Sequence, residues 1–382
     1  MFDRRRFLGV AALGAGSLFV APHLALARVA SDRRFLFVIQ RGAADGLNIV
    51  VPHGDADYAR LRGALAIDAA SAIKLDGQFA LHPSLAGIGK LYGEGQALFV
   101  HAVASPYRER SHFDGQNVLE TGGARPYAVK DGWLNRLTGM LPRERDEAIA
   151  FAPTVPLALR GQTEVSSYAA SNLPQASDDL LARVQQLYAR DPMLHGLWSA
   201  AMEARGLAGD SGPKQDPASL GKLAATFLTQ ANGPRVAMIE TGGWDTHSGQ
   251  NGRLTGQLRQ LDTMLSAFRE GLGPVWNDTV VLVATEFGRT AAANGTGGTD
   301  HGTGSAAMLI GGAVKGGRVL ADWPGLGQNA LLDGRDLRPT TDLDALIAGC
   351  SAETFGLDPA LVARTLAQTG RTVEPLEGLV RS

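Results

Sequence analysis

The stretch FLFVIQRGAADG, Phe35–Gly46, shows the arrangement on which the fold prediction depends. A run of almost entirely apolar residues, Phe35–Gln40, is followed at once by a polar loop that contains Arg41 and Asp45. Apolar runs without polar alternation are typical of strands buried on both faces of a mostly parallel sheet. The stretch therefore predicts a central strand that ends in a polar loop.

The same arrangement recurs along the chain. Three more apolar runs lead into polar loops and a fourth follows one: Ala97–Ala104, Arg235–Glu240, Thr279–Glu286 and Ala306–Gly312. Segments with helical spacing lie between the runs, such as the one that contains Leu254, Leu258 and Leu261. Strands that alternate with helices favour a doubly wound α/β domain, in which ligands bind beyond the carboxyl ends of the strands.

Composition limits the classes of function. The chain has 382 residues, of which 45% are hydrophobic and 19% charged, with a formal net charge of -2. This near-neutral balance, without a basic stripe, argues against a nucleic-acid partner. Cys350 is the one cysteine, which excludes an internal disulfide and a site of several thiolates; it fits the apolar face of a helix and is expected to be inert.

The N-terminal segment has the layout of a cleavable secretory signal, with a basic start, an apolar run and a small-residue ending at Ala27. We therefore assign residues 1–27 to a signal peptide and residues 28–382 to a single mature domain. The motif Asp3–Leu8 indicates the twin-arginine pathway, which predicts a periplasmic or otherwise exported protein and the twin-arginine export machinery as a partner. Pro22 and His23 interrupt the apolar run, so we expect no stable membrane span after cleavage. An uncleaved membrane anchor is the alternative.

Between about 161 and 233 the strand pattern gives way to amphipathic helical spacing. We interpret this part as a helical insertion or cap over the sheet. His195 lies within its apolar pattern and is interpreted as a packed or surface histidine.

Acidic residues and histidines recur in the loops at the strand ends. The candidate metal ligands are Asp45, Asp245, His247, Glu286, Asp300 and His301. Such a mixture of oxygen and nitrogen ligands suits zinc, manganese or iron, and also magnesium or calcium where carboxylates dominate. Other roles remain open: Asp45 as a helix cap, Glu286 as an ion-pair partner of Arg289, and the segment GGTDHGTGSA, which contains Asp300 and His301, as a polar turn.

The segment Tyr107–Glu120 supplies a second set of candidates. Ser111 precedes a predicted helix, whose free N–H groups favour anions, and Arg108 and Arg110 lie next to it. These three residues are the predicted catalytic group, with Ser111 as nucleophile. Ser111 is alternatively only the N-cap, supported by Asp114 in the first turn. His112 and Asp114 are open alternatives as ligands or as partners that orient ligands.

With these segments in view, the sequence resembles the exported domain of unknown function 1501 family of the alkaline phosphatase-like superfamily. The similar motifs are RGAADGLNIVVP, SPYRERSHFDGQNVLETG, GGWDTHSGQ, ATEFGRTAAANGTGGTDHGTGSAAMLIGG and DLRPTTD. The resemblance implies a three-layer α/β/α sandwich with a mostly parallel central sheet and a divalent metal at the strand ends. By position it implies a metal carboxylate at Asp45, a nucleophile at Ser111, a metal pair at Asp245 and His247, and a late histidine at His301.

The chain departs from the superfamily pattern in two places. Glu286-Phe287 stands where the phosphatases usually have an Asp-His doublet, so a second metal would lose a ligand. The Cys-x-Pro-x-Arg signature of the formylglycine sulfatases is absent, which argues against formylglycine chemistry.

Two functions follow from the sequence. The first is an exported metal-dependent hydrolase or transferase that acts on a phosphate or sulfate ester, an anionic substrate. The second is an exported binding or assembly protein that keeps a phosphatase-like scaffold without catalysis.

Overall fold

The computed structural model describes residues 32–142, 148–169, 178–208, 216–368, 370 and 372–382. The predicted signal peptide, 1–27, lies outside these ranges, and so does its twin-arginine motif. Among the helices in these ranges, none is both long enough and apolar enough to cross a membrane.

The strands are short except for those of the predicted apolar runs. They are β1 (Arg34–Gln40), β2 (Val50–Val51), β3 (Ile73–Lys74), β4 (Ala80–Leu81), β5 (Ala97–Ala104), β6 (Ala148–Phe151), β7 (Ser166–Ser167), β8 (Val236–Thr241), β9 (Thr279–Ala284), β10 (Ser305–Ile310), β11 (Arg318–Leu320) and β12 (Thr341–Asp342). Each of the five predicted apolar runs forms a strand, which confirms that part of the prediction.

The α-helices are distributed between these strands. They are α1 (Gly46–Ile49), α2 (Tyr58–Arg62), α3 (Ala86–Gly93), α4 (His112–Thr121), α5 (Trp133–Met140), α6 (Asp178–Tyr188), α7 (Pro192–Ala208), α8 (Pro217–Leu228), α9 (Gln250–Leu272), α10 (Leu343–Phe355) and α11 (Pro359–Leu366). The apolar spacing along α9 buries Leu254, Leu258 and Leu261 on one face of the helix.

The direction of one strand determines where the site can form. In the main sheet the strands lie in the order β11-β5-β10-β9-β1-β8-β6-β7, and β12 pairs with β5. β1 is parallel to β8 and β9, whereas β10 is antiparallel to both β5 and β9. Because β10 begins at the edge where its neighbours end, the loop before β10 lies at the same edge as the loops after β1, β5, β8 and β9.

Helices cover both faces of this sheet. Along β1, Phe35, Phe37 and Ile39 belong to a core shared with α5, α10 and α11. The intervening Leu36 and Val38 belong to a second core shared with α3, α8 and α9. Side chains that alternate between two cores are what a strand covered on both faces requires. The three-layer α/β/α sandwich with a mostly parallel sheet is therefore confirmed.

The predicted insertion, 161–233, contains α6, α7 and α8 together with the short strand β7. α8 begins at Pro217 after Asp216, whose side chain accepts a hydrogen bond from the Ser219 amide. Its Ala224 and Leu228 are fully buried in the core that covers one face of the sheet. The limits of an insertion remain a prediction.

Two single residues lie where the sequence indicated. Cys350 is buried in α10, and burial raises the pKa of its thiol. His195 is exposed on α7.

Candidate metal centre at the carboxyl edge of the sheet

Four side chains from three loops converge at this edge. Asp245 and His247 follow β8, His301 precedes β10, and His112 is the first residue of α4. The Nε2 atoms of His247 and His301 lie 2.9 Å apart, and they are 3.1 and 3.3 Å from Oδ1 of Asp245. Nε2 of His112 lies 3.4 Å from the other oxygen, Oδ2. Ligand atoms of His112, Asp245 and His301 all fall within 4.8 Å of one another.

The loop after β8 alternates between buried and outward-facing side chains. Trp244 and Thr246 are buried at 1% and 0% exposure, and the Trp244 indole donates to Oγ1 of Thr241 at 3.0 Å. The side chains of Asp245 and His247 are left on the outer side, where each is nearly half exposed. This alternation explains why the Asp-x-His spacing places both groups on one side of the loop.

Two glycines allow neighbouring loops to press against this segment. Gly42 has φ +119, and a Cβ there would lie 2.7 Å from the backbone nitrogen of Asp245. A Cβ on Gly298 would lie 2.3 Å from the backbone of His247. Side chains at either position would displace the loop that holds Asp245 and His247.

Each of the three histidines is held through its other ring nitrogen. The pairs are His112 Nδ1 with Glu286 Oε1 at 2.8 Å, His247 Nδ1 with Asp300 Oδ1 at 3.1 Å, and His301 Nδ1 with the Arg110 carbonyl oxygen at 2.8 Å. Carboxylate and carbonyl oxygens accept hydrogen bonds, so in the neutral rings the proton lies on Nδ1. The Nε2 lone pairs of His112 and His301 are then available at the centre that they share with Asp245, and Nε2 of His247 lies beside it, which is the arrangement found in metal-bound histidines.

The donor set fits a divalent transition metal. Imidazole nitrogens are borderline ligands and a carboxylate oxygen is a hard one, and this mixture suits zinc, manganese or iron. Nε2 of His112 is buried and has no hydrogen-bond partner in the part of the chain that the structure describes. Buried polar atoms without a partner are rare in proteins, and a cation at the centre would supply one here.

Arg289 fixes the carboxylate of this centre. Its NH1 donates to Oδ1 of Asp245 at 2.6 Å, and its Nε donates to Oγ1 of Thr299 at 3.1 Å. Burial alone would raise the pKa of Asp245, but the hydrogen bond and charge of Arg289 outweigh it and lower that pKa. Asp245 is therefore ionised, with Oδ2 left free of this contact.

Glu286 lies behind His112. Its Oε1 accepts from the backbone nitrogen of Gly42 at 2.8 Å and from Nε2 of Gln116 at 3.1 Å, in addition to His112. Burial raises the pKa of Glu286, yet these hydrogen bonds lower that pKa on balance. The hydrogen bond that His112 donates to Glu286 raises the pKa of His112. The ion pair suggested between Glu286 and Arg289 does not form, because Arg289 pairs with Asp245.

Asp300 lies behind His247 rather than His301. Its Oδ1 also accepts from Nδ2 of Asn294 at 3.1 Å, and this hydrogen bond is the main reason that the pKa of Asp300 is lowered. For Glu286 and Asp300 a direct bond to a metal stays a prediction, while the orienting contact is observed.

Asp45 pairs with an arginine. Its two oxygens accept from NH1 and NH2 of Arg62 at 2.6 and 2.8 Å, and Nε2 of Gln250 donates to one of them. Both members of the ion pair are essentially inaccessible to solvent. Asp45 makes no capping hydrogen bond to α1, so the alternative of a helix cap is not observed. Its role as a metal ligand stays a prediction.

The three predicted catalytic residues surround the start of α4. Ser111 occupies the N-cap position, but its hydroxyl makes no capping hydrogen bond, and its backbone nitrogen donates to the Tyr107 hydroxyl at 3.0 Å. Arg110 binds Asp336 at 2.7 Å, and NH1 of Arg108 donates to the Tyr107 carbonyl oxygen at 2.7 Å. Both guanidinium groups are thus engaged by the protein itself.

Three residues at this edge are difficult to identify from the sequence. The motif that contains Ser111 leaves the role of His112 open. The position of Arg289 suggests only a partner for Glu286. Arg62 gave no sequence signal, because its position in a short helix does not show that it faces Asp45.

A family model described as "Protein of unknown function (DUF1501)" matches residues 32–366. No curated protein matches the sequence.

Several solved structures resemble the fold remotely. The lipoteichoic acid synthase LtaP from Listeria monocytogenes is 11% identical with a TM-score of 0.37, over 68% of this chain and 57% of that chain. A protein in the alkaline phosphatase superfamily from Vibrio parahaemolyticus is 9% identical with a TM-score of 0.38, over 81% and 69%. The phosphonate monoester hydrolase of Agrobacterium radiobacter is 12% identical with a TM-score of 0.35, over 87% and 74%. At these values the likenesses carry no argument about function.

Proposed function

We propose that this chain, which belongs to the DUF1501 family of proteins of unknown function, is an exported metal-dependent hydrolase of phosphate or sulfate esters. The observation that most supports it is the convergence of three imidazole Nε2 atoms on Asp245, with each Nδ1 held by an acceptor. The signal-like N-terminus supports export, and the motif resemblance to the alkaline phosphatase-like superfamily supports the ester substrate.

In this proposal His112, Asp245, His247 and His301 hold one divalent cation, with zinc as the best match to three nitrogens and one oxygen. Such a cation, when bound, supplies a Lewis acid that stabilises negative charge on an ester oxygen. Arg289 keeps Asp245 ionised, and Glu286 orients His112.

Ser111 is the proposed nucleophile. It directly precedes His112, and its hydroxyl is not used to cap α4. The first N–H groups of α4, a helix of 10 residues, point towards the same end and favour the anionic part of an ester.

Metal content tests the centre before any substrate is known. We expect elemental analysis of the dialysed mature protein to give about one zinc or manganese per chain. Replacing a ligand, as in D245N or H301A, should remove most of it. H195A is the matched control, because His195 is exposed on α7, and it should keep the metal. Equal metal content in H301A and H195A would refute the proposed ligand set.

Ester hydrolysis is tested separately. The metal-loaded protein should release phosphate or sulfate from at least one ester of a panel, and S111A should lose this activity while it retains the metal. An S111A variant as active as the wild type would exclude Ser111 as nucleophile. Absence of hydrolysis with every metal tried would refute the hydrolase proposal.

The second function is a non-catalytic binding or assembly protein that holds one metal. One observation favours it: Arg62 occupies both oxygens of Asp45, so the carboxylate at the first strand has a guanidinium partner already. Under this alternative S111A would leave the physiological role of the protein intact, whereas D245N would abolish it. Growth of a strain that depends on the protein, complemented with each variant, distinguishes the two functions.

A further inference from the structure

A polar cavity that shares no residue with the metal centre lies between residues 66–71, the segment after β4 and one face of α9. Its volume is about 410 Å³. The polar side chains that line it include Asp68, His82, Ser84, Asn251, Thr255 and Arg259.

His82 provides a buried donor to this cavity. Its residue exposure is 4%, and its Nδ1 accepts a hydrogen bond from the backbone nitrogen of Ser84 at 3.0 Å. Nδ1 is therefore unprotonated in the neutral ring, and Nε2 carries the hydrogen. No group in the described ranges accepts a hydrogen bond from Nε2, so this N–H of a largely buried ring is left for a ligand in the cavity.

Arg259 provides a positive charge. It is exposed on α9 and has no ion pair or side-chain hydrogen bond with any residue that the structure describes. Burial and then the charge of Arg259 lower the pKa of His82 to about 4, so His82 is a neutral donor at physiological pH. Asp68, the acidic residue of the lining, accepts from the Ala70 amide at 3.1 Å and forms no ion pair with Arg259.

The other polar groups of the lining are hydroxyls and an amide. Asn251, Thr255 and Arg259 are spaced by four residues and so lie along one face of α9. The hydroxyls of Thr255 and Ser84 make no hydrogen bond to another described residue. Arg259 and the His82 N–H suit an oxyanion, while these neutral groups suit hydroxyls on the carbon skeleton that bears it.

We propose that this cavity binds a small hydroxylated molecule that bears a phosphate or sulfate group, with Arg259 and His82 contacting the oxyanion. The site is independent of the proposed hydrolase, because it shares no residue with the metal centre.

The test uses the full mature chain with the D245N substitution, depleted of metal, so that the metal centre cannot bind the probe. Glucose 6-phosphate is the anionic probe and glucose the neutral one, and affinity is measured by calorimetry. We expect millimolar or tighter binding of glucose 6-phosphate and at least tenfold weaker binding of glucose.

Three variants locate the binding. R259Q should weaken the binding of glucose 6-phosphate at least tenfold. H82N should weaken it severalfold, because the asparagine oxygen can still accept from the Ser84 amide while the Nε2 donor is lost. R253Q changes an exposed arginine of α9 outside the cavity and should bind as the parent does. Equal affinity in R259Q and R253Q, or no binding to the parent, would overturn the proposal.

Discussion

At the scale of single residues, the orientation of each histidine depends on an acceptor that binds its Nδ1 atom. Glu286 is the most buried of them, and it holds His112 at 2.8 Å. A ring held in this way presents Nε2 without an entropic cost at the moment of metal binding. Loss of such an orienting partner usually lowers metal affinity by about 10- to 100-fold.

We therefore expect E286Q to reduce zinc affinity within that range, because an amide oxygen is a weaker acceptor than a carboxylate. Competition with a chromophoric chelator measures the change. E94Q is the control, since Glu94 pairs with Arg269 on the surface. An E286Q protein that competes as well as E94Q would show that Glu286 does not orient a ligand.

The buried pair of Asp45 and Arg62 permits a prediction about stability. R62A leaves the Asp45 carboxylate buried without its cation, which is expected to lower the free energy of unfolding by about 3–5 kcal/mol. Arg60 lies in the same helix as Arg62 and forms an exposed ion pair with Asp57. R60A removes this ion pair and should lower the free energy of unfolding by about 0–1 kcal/mol. Urea unfolding of both variants provides the comparison, and similar midpoints would contradict this account.

At the scale of elements, the apolar runs are sufficient to identify five central strands but not their direction. The apolar runs predicted β1, β5, β8, β9 and β10, because a strand buried on both faces needs apolar residues at successive positions. The antiparallel direction of β10 has no local signature, since it depends on which neighbours the strand pairs with. That direction is what brings His301 to the edge shared with Asp245.

The site was predictable to the same limited degree. Asp245 and His247 were recognisable from their spacing in one loop. The contacts of Glu286 with His112 and of Asp300 with His247 join residues far apart in the chain, and no spacing reveals them. Short elements such as β7 and β12 were also missed, because two residues are too few to show a period.

The loop contact at Gly42 allows a prediction at this scale. Gly42 has φ +119, and the methyl group of an alanine there would lie 2.7 Å from the backbone nitrogen of Asp245. G42A should therefore strain the loop by on the order of 1–3 kcal/mol and reduce metal occupancy. Gly252 lies in α9 with open space around it. G252A should therefore leave the free energy of unfolding unchanged or raise it by up to about 1 kcal/mol. Thermal unfolding and metal content of the two variants test this prediction. Retention of full metal content in G42A would contradict the proposed effect of the loop contact on the metal centre.

At the scale of the whole molecule, stability rests mainly on the two large cores that cover the faces of the sheet, without a disulfide. A ligand that binds only the folded state adds about 2.7 kcal/mol when its free concentration is 100 times its Kd. We expect chelation to lower the thermal midpoint of the wild type and to leave D245N unchanged. A wild-type midpoint that does not respond to added zinc or to chelator would contradict a metal held by this centre.

The separation of the proposed ligands along the chain determines at which stage of folding the metal can bind. His112, Asp245 and His301 follow or precede different strands, and they meet only when β5, β8 and β10 have taken their places in one sheet. An unfinished chain therefore has no centre to load, and acquisition of the proposed ion reports completed folding. If the proposed export follows folding, the metal supply of the compartment of synthesis determines which ion occupies the proposed centre.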